Sequence, residues 1–64
     1  MHIFIERENK KKNLKFTGKV SKLLQQLKFN PAAVLVVRNG SLVAEDEPLT
    51  DNDEVKILSV ISGG

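Results

Sequence analysis

The stretch Val34-Leu35-Val36-Val37-Arg38-Asn39-Gly40-Ser41-Leu42-Val43 decides the fold of this chain. Its first four residues are continuously apolar, as is typical of a strand at the centre of a sheet. Asn-Gly is the strongest short-range signal for a two-residue β-hairpin turn. The stretch therefore predicts a central strand that turns at Asn39-Gly40 into a short return strand over residues 42–44.

Downstream of this hairpin, the sequence predicts one further strand and a tail. A polar connection over residues 45–52 carries a single apolar plug, Leu49. An apolar strand over residues 55–61 follows and runs into Ser62, Gly63 and Gly64. Glycine has no Cβ, so this end suits a slim tail that can enter a narrow channel. We interpret residues 62–64 as a tail that presents the carboxylate of Gly64.

Upstream of the hairpin, the sequence predicts two strands and one helix. Residues 2–7 and 13–17 have strand-like alternation, with a lysine-rich turn between them and with Leu14 and Phe16 facing the core. Residues 19–28 carry an apolar stripe at helical spacing, formed by Val20, Leu23, Leu24 and Leu27. We expect Thr17 or Gly18 to cap the start of this helix, and Asn30-Pro31 to end it.

Composition and charge exclude several classes of protein. The 64 residues include no cysteine, which excludes disulfides, zinc–thiolate sites and a thiol nucleophile. No stretch approaches the roughly 20 apolar residues of a membrane span, and no secretory signal is visible. We expect a single domain over residues 1–64, located in the cytoplasm. Nine of the ten basic residues fall within residues 1–38, and six of the eight acidic ones within residues 39–64.

The order of elements predicts an α+β fold, in which a mixed sheet of four to five strands packs one face against the helix. Strand alternation then assigns five residues to the helix-facing side: Ile3, Ile5, Val36, Val55 and Ile57. The opposite face receives Phe4, Leu35, Val37, Leu58 and Val60. A contiguous exposed apolar surface of this kind binds partners. We predict that Phe4, Val37, Leu58 and Val60, here named the outer patch, dock a partner, unless curvature buries some of them or they pair in a homodimer.

The remaining polar residues give no catalytic or metal site. His2 is interpreted as an exposed strand residue without triad partners. Asp51, Asp53 and Glu54 lack the loop of a calcium hand and are interpreted as solvated turn residues. Lysines at positions 10–12, 15, 19 and 22 could bind phosphates or be conjugation targets. Phe16 is their only aromatic neighbour in sequence and is expected in the core, so the pattern does not favour nucleic-acid binding.

The element order, the Asn39-Gly40 turn and the terminal Gly63-Gly64 resemble the ubiquitin-like β-grasp fold. More narrowly, they resemble the ThiS/MoaD family of small sulfur-carrier proteins. Residues 34–43 carry the resemblance together with residues 49–58, whose sequence is similar to the family's Leu-x-(Asp/Asn)-Gly-Asp-x-Val stretch. Asn52 stands where glycine is commonest in that stretch, and asparagine also accepts the left-handed conformation.

The resemblance implies a co-substrate and not an enzyme. A ubiquitin-activating-type enzyme would adenylate the Gly64 carboxylate with ATP, and sulfide or a persulfide would replace AMP to leave a thiocarboxylate. A sulfur-accepting synthase would then use that sulfur for thiamine, molybdopterin or thiolated tRNA. The carrier itself would hold no cofactor. Two alternatives stay open: a modifier joined through Gly64 to lysines of other proteins, and a non-covalent binding module.

Overall fold

The chain folds as one mixed five-stranded sheet with a short helix on one face. The computed structural model describes residues 1–60. Five strands form the main sheet: β1 (His2–Ile5), β2 (Lys10–Asn13), β4 (Val34–Arg38), β5 (Ser41–Val43) and β7 (Glu54–Ser59). Their order is β2-β1-β7-β4-β5, with β1 and β7 parallel and the other pairs antiparallel. This is the predicted ubiquitin-like β-grasp. The strand predicted to be central, β4, lies between β7 and β5, and the last strand, β7, occupies the middle of the sheet.

The remaining elements are short. The helix α1 spans Val20–Gln26, and 3-10 turns cover Glu6–Glu8 and Pro31–Ala33. Two strands outside the prediction, β3 (Gly18–Lys19) and β6 (Pro48–Leu49), pair as a separate two-stranded sheet. This pairing holds the start of the helix against the polar connection. It also buries Leu49, the predicted apolar plug, to 1% exposure.

The core lies between α1 and the inner face of the sheet. All five residues predicted to face the helix are buried, as are three of the four residues of the helix stripe. Leu27, the fourth, is half-buried and packs against this core with Leu14 and Phe16. The buried set is Met1, Ile3, Ile5, Val20, Leu23, Leu24, Val36, Leu49, Val55 and Ile57.

The second strand lies earlier in the chain than the sequence predicted. The turn after β1 is tight, because Asn9 adopts a left-handed conformation with φ of 49° and its N–H donates to the Glu6 carbonyl at 3.0 Å. Residues 10–13 therefore pair with β1, although three of them are lysines. An edge strand tolerates lysine because its side chains reach solvent. Leu14 and Phe16 reach the core from an irregular segment instead of a strand.

The helix is shorter than predicted, and neither end is formed as expected. Its N-cap is Lys19 without a side-chain capping bond, not Thr17 or Gly18. The N–H groups of Val20 and Ser21 instead donate to backbone carbonyls of Glu47 and Glu45, at 3.0 and 2.8 Å. Backbone from a distant loop thus satisfies donors that a capping side chain normally takes.

The helix ends well before Asn30-Pro31. Lys28 is left-handed with φ of 64°, and its N–H donates to the Gln25 carbonyl at 3.1 Å. The N–H of Phe29 donates to the Leu24 carbonyl at 2.8 Å. These two bonds define a Schellman motif, in which a hydrophobic residue after the helix folds back onto its last turn. Phe29 is that residue, since it packs against the core.

Candidate docking face and tail

The candidate site is the outer face of the sheet, on the side opposite α1. The Asn39-Gly40 turn sets its register at one edge. Asn39 and Gly40 both have positive φ, 49° and 86°, as a type I′ turn requires. Val37 therefore pairs with Leu42, and these two side chains share the outer face. The predicted hairpin is confirmed, and its register brings an extra apolar side chain onto this face.

The structure places all four residues of the outer patch on this face. Phe4, Val37 and Leu58 are half-buried, and Val60 is 47% exposed. Leu58 pairs across the sheet with Leu35, which is 44% exposed on the same face. The N–H of Val60 donates to the carbonyl of Ala33, the residue before β4, at 3.0 Å. The backbone pairing of β7 with β4 thus continues one residue beyond β7. Whether a partner binds here stays a prediction.

Two further residues of this face were not singled out from the sequence. Leu42 is the most exposed large apolar residue in the described part of the chain, at 64%. Lys56 pairs with Phe4 on one side and with Val37 on the other, so a cation lies in the middle of the apolar surface. The sequence contains the features that place both residues on this face. A two-residue turn sets Leu42 opposite Val37, and alternation along the last strand puts Lys56 on the same face as Glu54 and Leu58.

The tail prediction falls on Ser62, Gly63 and Gly64, which lie outside the described residues. The structure does show how the strand before them is held. Asn39 donates its side-chain N–H to Asp53 Oδ1 at 3.0 Å, and its Oδ1 accepts the Glu54 N–H at 2.9 Å. Its backbone N–H donates to the Glu54 carbonyl at 2.8 Å. The β4–β5 turn is therefore fastened to the start of β7, the strand that precedes the tail.

The acidic residues before β7 close turns, although the sequence suggested only solvated residues. Asp53 Oδ2 accepts the Thr50 N–H at 2.8 Å. That bond and the one from Asn39 hold the pKa of the Asp53 carboxyl below its ordinary value. Asp51 Oδ1 accepts the Phe16 N–H at 3.1 Å and also contacts the Met1 ammonium at 3.1 Å. These bonds lower the pKa of Asp51 in the same way.

One expectation for this segment is wrong. Asn52 is not left-handed; the three non-glycine residues with positive φ among residues 1–60 are Asn9, Lys28 and Asn39. The Thr50–Asp53 turn closes through the Asp53 carboxylate and through the Asp53 N–H, which donates to the Thr50 carbonyl at 3.1 Å. A glycine-like conformation at position 52 is therefore not needed.

His2 lies exposed on β1 and lines the same outer face. Over residues 1–60, no group of three or more His, Asp or Glu side chains lies close enough to hold a metal ion. No helix in this part of the chain is long and apolar enough to cross a membrane. The outer face itself combines exposed apolar side chains with a cation, Lys56, between Phe4 and Val37.

A β-grasp sheet followed in the sequence by Gly63-Gly64 is the arrangement of ubiquitin-like proteins. Comparison with known proteins makes the class specific: a sequence model of the ThiS family matches residues 4–64, and the chain belongs to the ThiS family. It is also similar to the sulfur carrier protein TtuB of Thermus thermophilus, with 32% identity over 57 residues, covering 89% of this chain and 88% of that protein. The protein is therefore a sulfur carrier of the ThiS/MoaD type.

Proposed function

We propose that the carboxylate of Gly64 carries the sulfur. A ubiquitin-activating-type enzyme binds the carrier, and a Gly64 carboxylate oxygen attacks the α-phosphorus of ATP, which releases pyrophosphate. Sulfide then attacks the acyl carbon of this mixed anhydride, and AMP leaves. The product is a C-terminal thiocarboxylate. The family membership of the chain is the observation that carries the proposal, and the Gly63-Gly64 sequence supports it because both residues are slim enough for a narrow active-site channel.

The carrier supplies no catalytic residue and no cofactor in this scheme. ATP is consumed by the partner enzyme, so we place the reaction in the cytoplasm. A sulfur-accepting synthase takes the sulfur from the thiocarboxylate for thiazole, molybdopterin or thiolated tRNA. Ser62 and Gly63 link the reactive carboxylate to the folded domain.

We further propose that the outer patch docks the activating enzyme. Phe4, Leu35, Val37 and Leu58 lie on one face of β1, β4 and β7, and the exposed Val60 directly follows β7. Covering this face removes apolar surface from water, which stabilises the complex by about 25 cal/mol per Å² before the costs of association. Val60 precedes Gly64, the residue to be activated, by four positions in the sequence.

Intact mass spectrometry of the protein, purified from its own host and then incubated with ATP, sulfide and host extract, tests the sulfur chemistry. We expect a mass gain equal to the replacement of one oxygen by sulfur, and the loss of this gain when Gly64 is deleted. ATP-dependent products joined through Gly64 to lysines, without the sulfur gain, would identify a modifier instead. Neither product, in an extract that activates a known carrier, would point to a non-covalent binding module.

The docking proposal has a separate test with a matched control. Val60→Asp places a charge on the patch at a position exposed enough to leave the fold intact, and Thr17→Asp makes a similar change on the helix side. We expect Val60→Asp, and likewise Phe4→Asp and Leu58→Asp, to slow activation while Thr17→Asp does not. Circular dichroism checks that each variant is folded. Normal activation of all three patch variants would refute the docking surface.

A further inference from the structure

The outer face carries lysine side chains among its apolar residues. The strand register places Lys11, Phe4, Lys56 and Val37 side by side on β2, β1, β7 and β4. Adjacent strands lie about 4.8 Å apart, so the backbones of Lys11 and Lys56 are about 10 Å apart, with Phe4 between them. These four residues line an open groove with a volume of about 530 Å³.

No acidic group among residues 1–60 forms an ion pair with these lysines. Within residues 1–60 the single ion pair joins the Met1 ammonium to Asp51. Lys11 and Lys56 are exposed, and neither side chain makes a hydrogen bond to the described residues. Glu54 is the one acidic residue that lines the groove.

The position of Lys56 restricts what can cover this face. It lies between Phe4 and Val37, so a partner that buries both of them must also cover the Lys56 ammonium. Burying an unpaired charge against an apolar surface is strongly unfavourable. A carboxylate of the partner placed at Lys56 would compensate this charge, and the flanking Lys11 favours a second one about 10 Å away.

We propose that the cationic groove, formed by Lys11, Lys56 and Phe4, receives a pair of carboxylates from a protein partner that docks on the outer patch. The inference rests on the proposed docking of the activating enzyme, whose surface it describes more closely. A protein fits better than a nucleic acid because the groove is continuous with an apolar face, and because Phe4 is half-buried and offers little ring surface for stacking a base. Lys56 then selects partners, since an apolar surface without acids is rejected.

The activation assay tests the selection by Lys56. ATP–pyrophosphate exchange is measured with the activating enzyme of the same organism for the wild type, for Lys56→Glu and for Lys22→Glu. Lys22 is exposed on the helix, so its variant matches the change in net charge without altering the face. We expect Lys56→Glu to raise the KM for the carrier by about tenfold or more with kcat unchanged, because charges at an interface act mainly on association. Equal KM values for both variants would overturn the proposal.

A direct titration tests carboxylate binding by the groove independently of the activation assay. If no variant, including the wild type, supports exchange, that result counts against the proposed function and not against the groove. Amide NMR spectra of the isotope-labelled chain are followed as poly-L-glutamate or total tRNA is added, at about 50 and about 300 mM NaCl. We expect polyglutamate to shift the amides of Lys11, Phe4 and Lys56 at low salt, and Lys56→Glu to remove these shifts. Shifts centred on Lys19 and Lys22, or none, would refute the groove. A response at these three residues to tRNA alone would assign it to nucleic acid instead.

Discussion

Removing the Asn39 side chain should weaken the fold at the point where the hairpin turn meets the last strand. Asn39→Gly keeps the left-handed conformation, with φ of 49°, but deletes the bonds to Asp53 and to the Glu54 N–H. Each bond contributes roughly 0.5–1.5 kcal/mol, and exposure places these two at the lower end, so together they give about 1–2 kcal/mol. Extra freedom of glycine in the unfolded chain adds about 0.4–1 kcal/mol. The expected total loss is about 2 kcal/mol.

Asn9 offers a matched control for this substitution. It has the same residue type and the same φ of 49°, and its side chain makes no hydrogen bond to the described residues. Asn9→Gly therefore changes the freedom of the unfolded chain without removing a side-chain bond. The difference between the two variants, expected at about 1–2 kcal/mol, isolates the contribution of the Asn39 amide.

Urea unfolding followed by far-UV circular dichroism measures both variants, since the chain has no Trp or Tyr to report by fluorescence. Thermal unfolding gives an independent estimate, because 1 kcal/mol shifts the Tm of a domain this size by about 4–8 °C. Asn39→Asp separates the two bonds, since a carboxylate keeps the acceptor for the Glu54 N–H but loses the donor to Asp53 and faces its negative charge. Equal stability of Asn39→Gly and Asn9→Gly would refute the reasoning.

Three further effects on stability follow from the structure. Lys28→Gly should stabilise the protein by about 0.5–1 kcal/mol, because relief of roughly 1–2 kcal/mol of left-handed strain exceeds the added unfolded-state freedom; an unchanged urea midpoint would contradict it. Leu49→Ala should cost about 2–5 kcal/mol by leaving a cavity under the two-stranded sheet, whereas exposed Leu42→Ala should change unfolding little. Folded-state pKa values of Asp51 and Asp53 lie below those of the unfolded chain. Their contribution to the free energy of unfolding is therefore complete above about pH 5 and is lost as pH falls below about 4. Asp53→Asn should reduce the fall in unfolding free energy over this acidic range, as measured by urea unfolding at a series of pH values.

The parts of the fold that depend on local chemistry were predictable from the sequence. Side chains along a strand alternate between the two faces of the sheet, so assigning one residue of a strand to a face assigns all the others. This placed Ile57 and Val36 on the buried face, and Leu58 and Val37 on the outer face. Asn-Gly carries its own conformational requirement, and the turn formed where predicted. The same reasoning placed Phe4 and Val60 on the outer face.

The parts that depend on distant contacts were not predictable in the same way. Lysines at positions 10–12 have no strand signal, and only pairing with β1 makes them a strand. Lys28 gives no sign of a left-handed conformation, which follows from Phe29 folding back onto the core. The bond between Asn39 and Asp53 joins residues 14 positions apart. The cation within the outer face likewise became clear only when register placed Lys56 between Phe4 and Val37.

The central position of β7 determines when during folding this carrier becomes recognisable. The helix and the β4–β5 hairpin are local in sequence, so they can form early, whereas pairing of β7 with β1 joins opposite ends of the chain. The outer face is made of strands on both sides of β7, and it is complete only once that last pairing has closed. Under the proposed docking, the partner would bind only molecules in which β7 has paired with both β1 and β4.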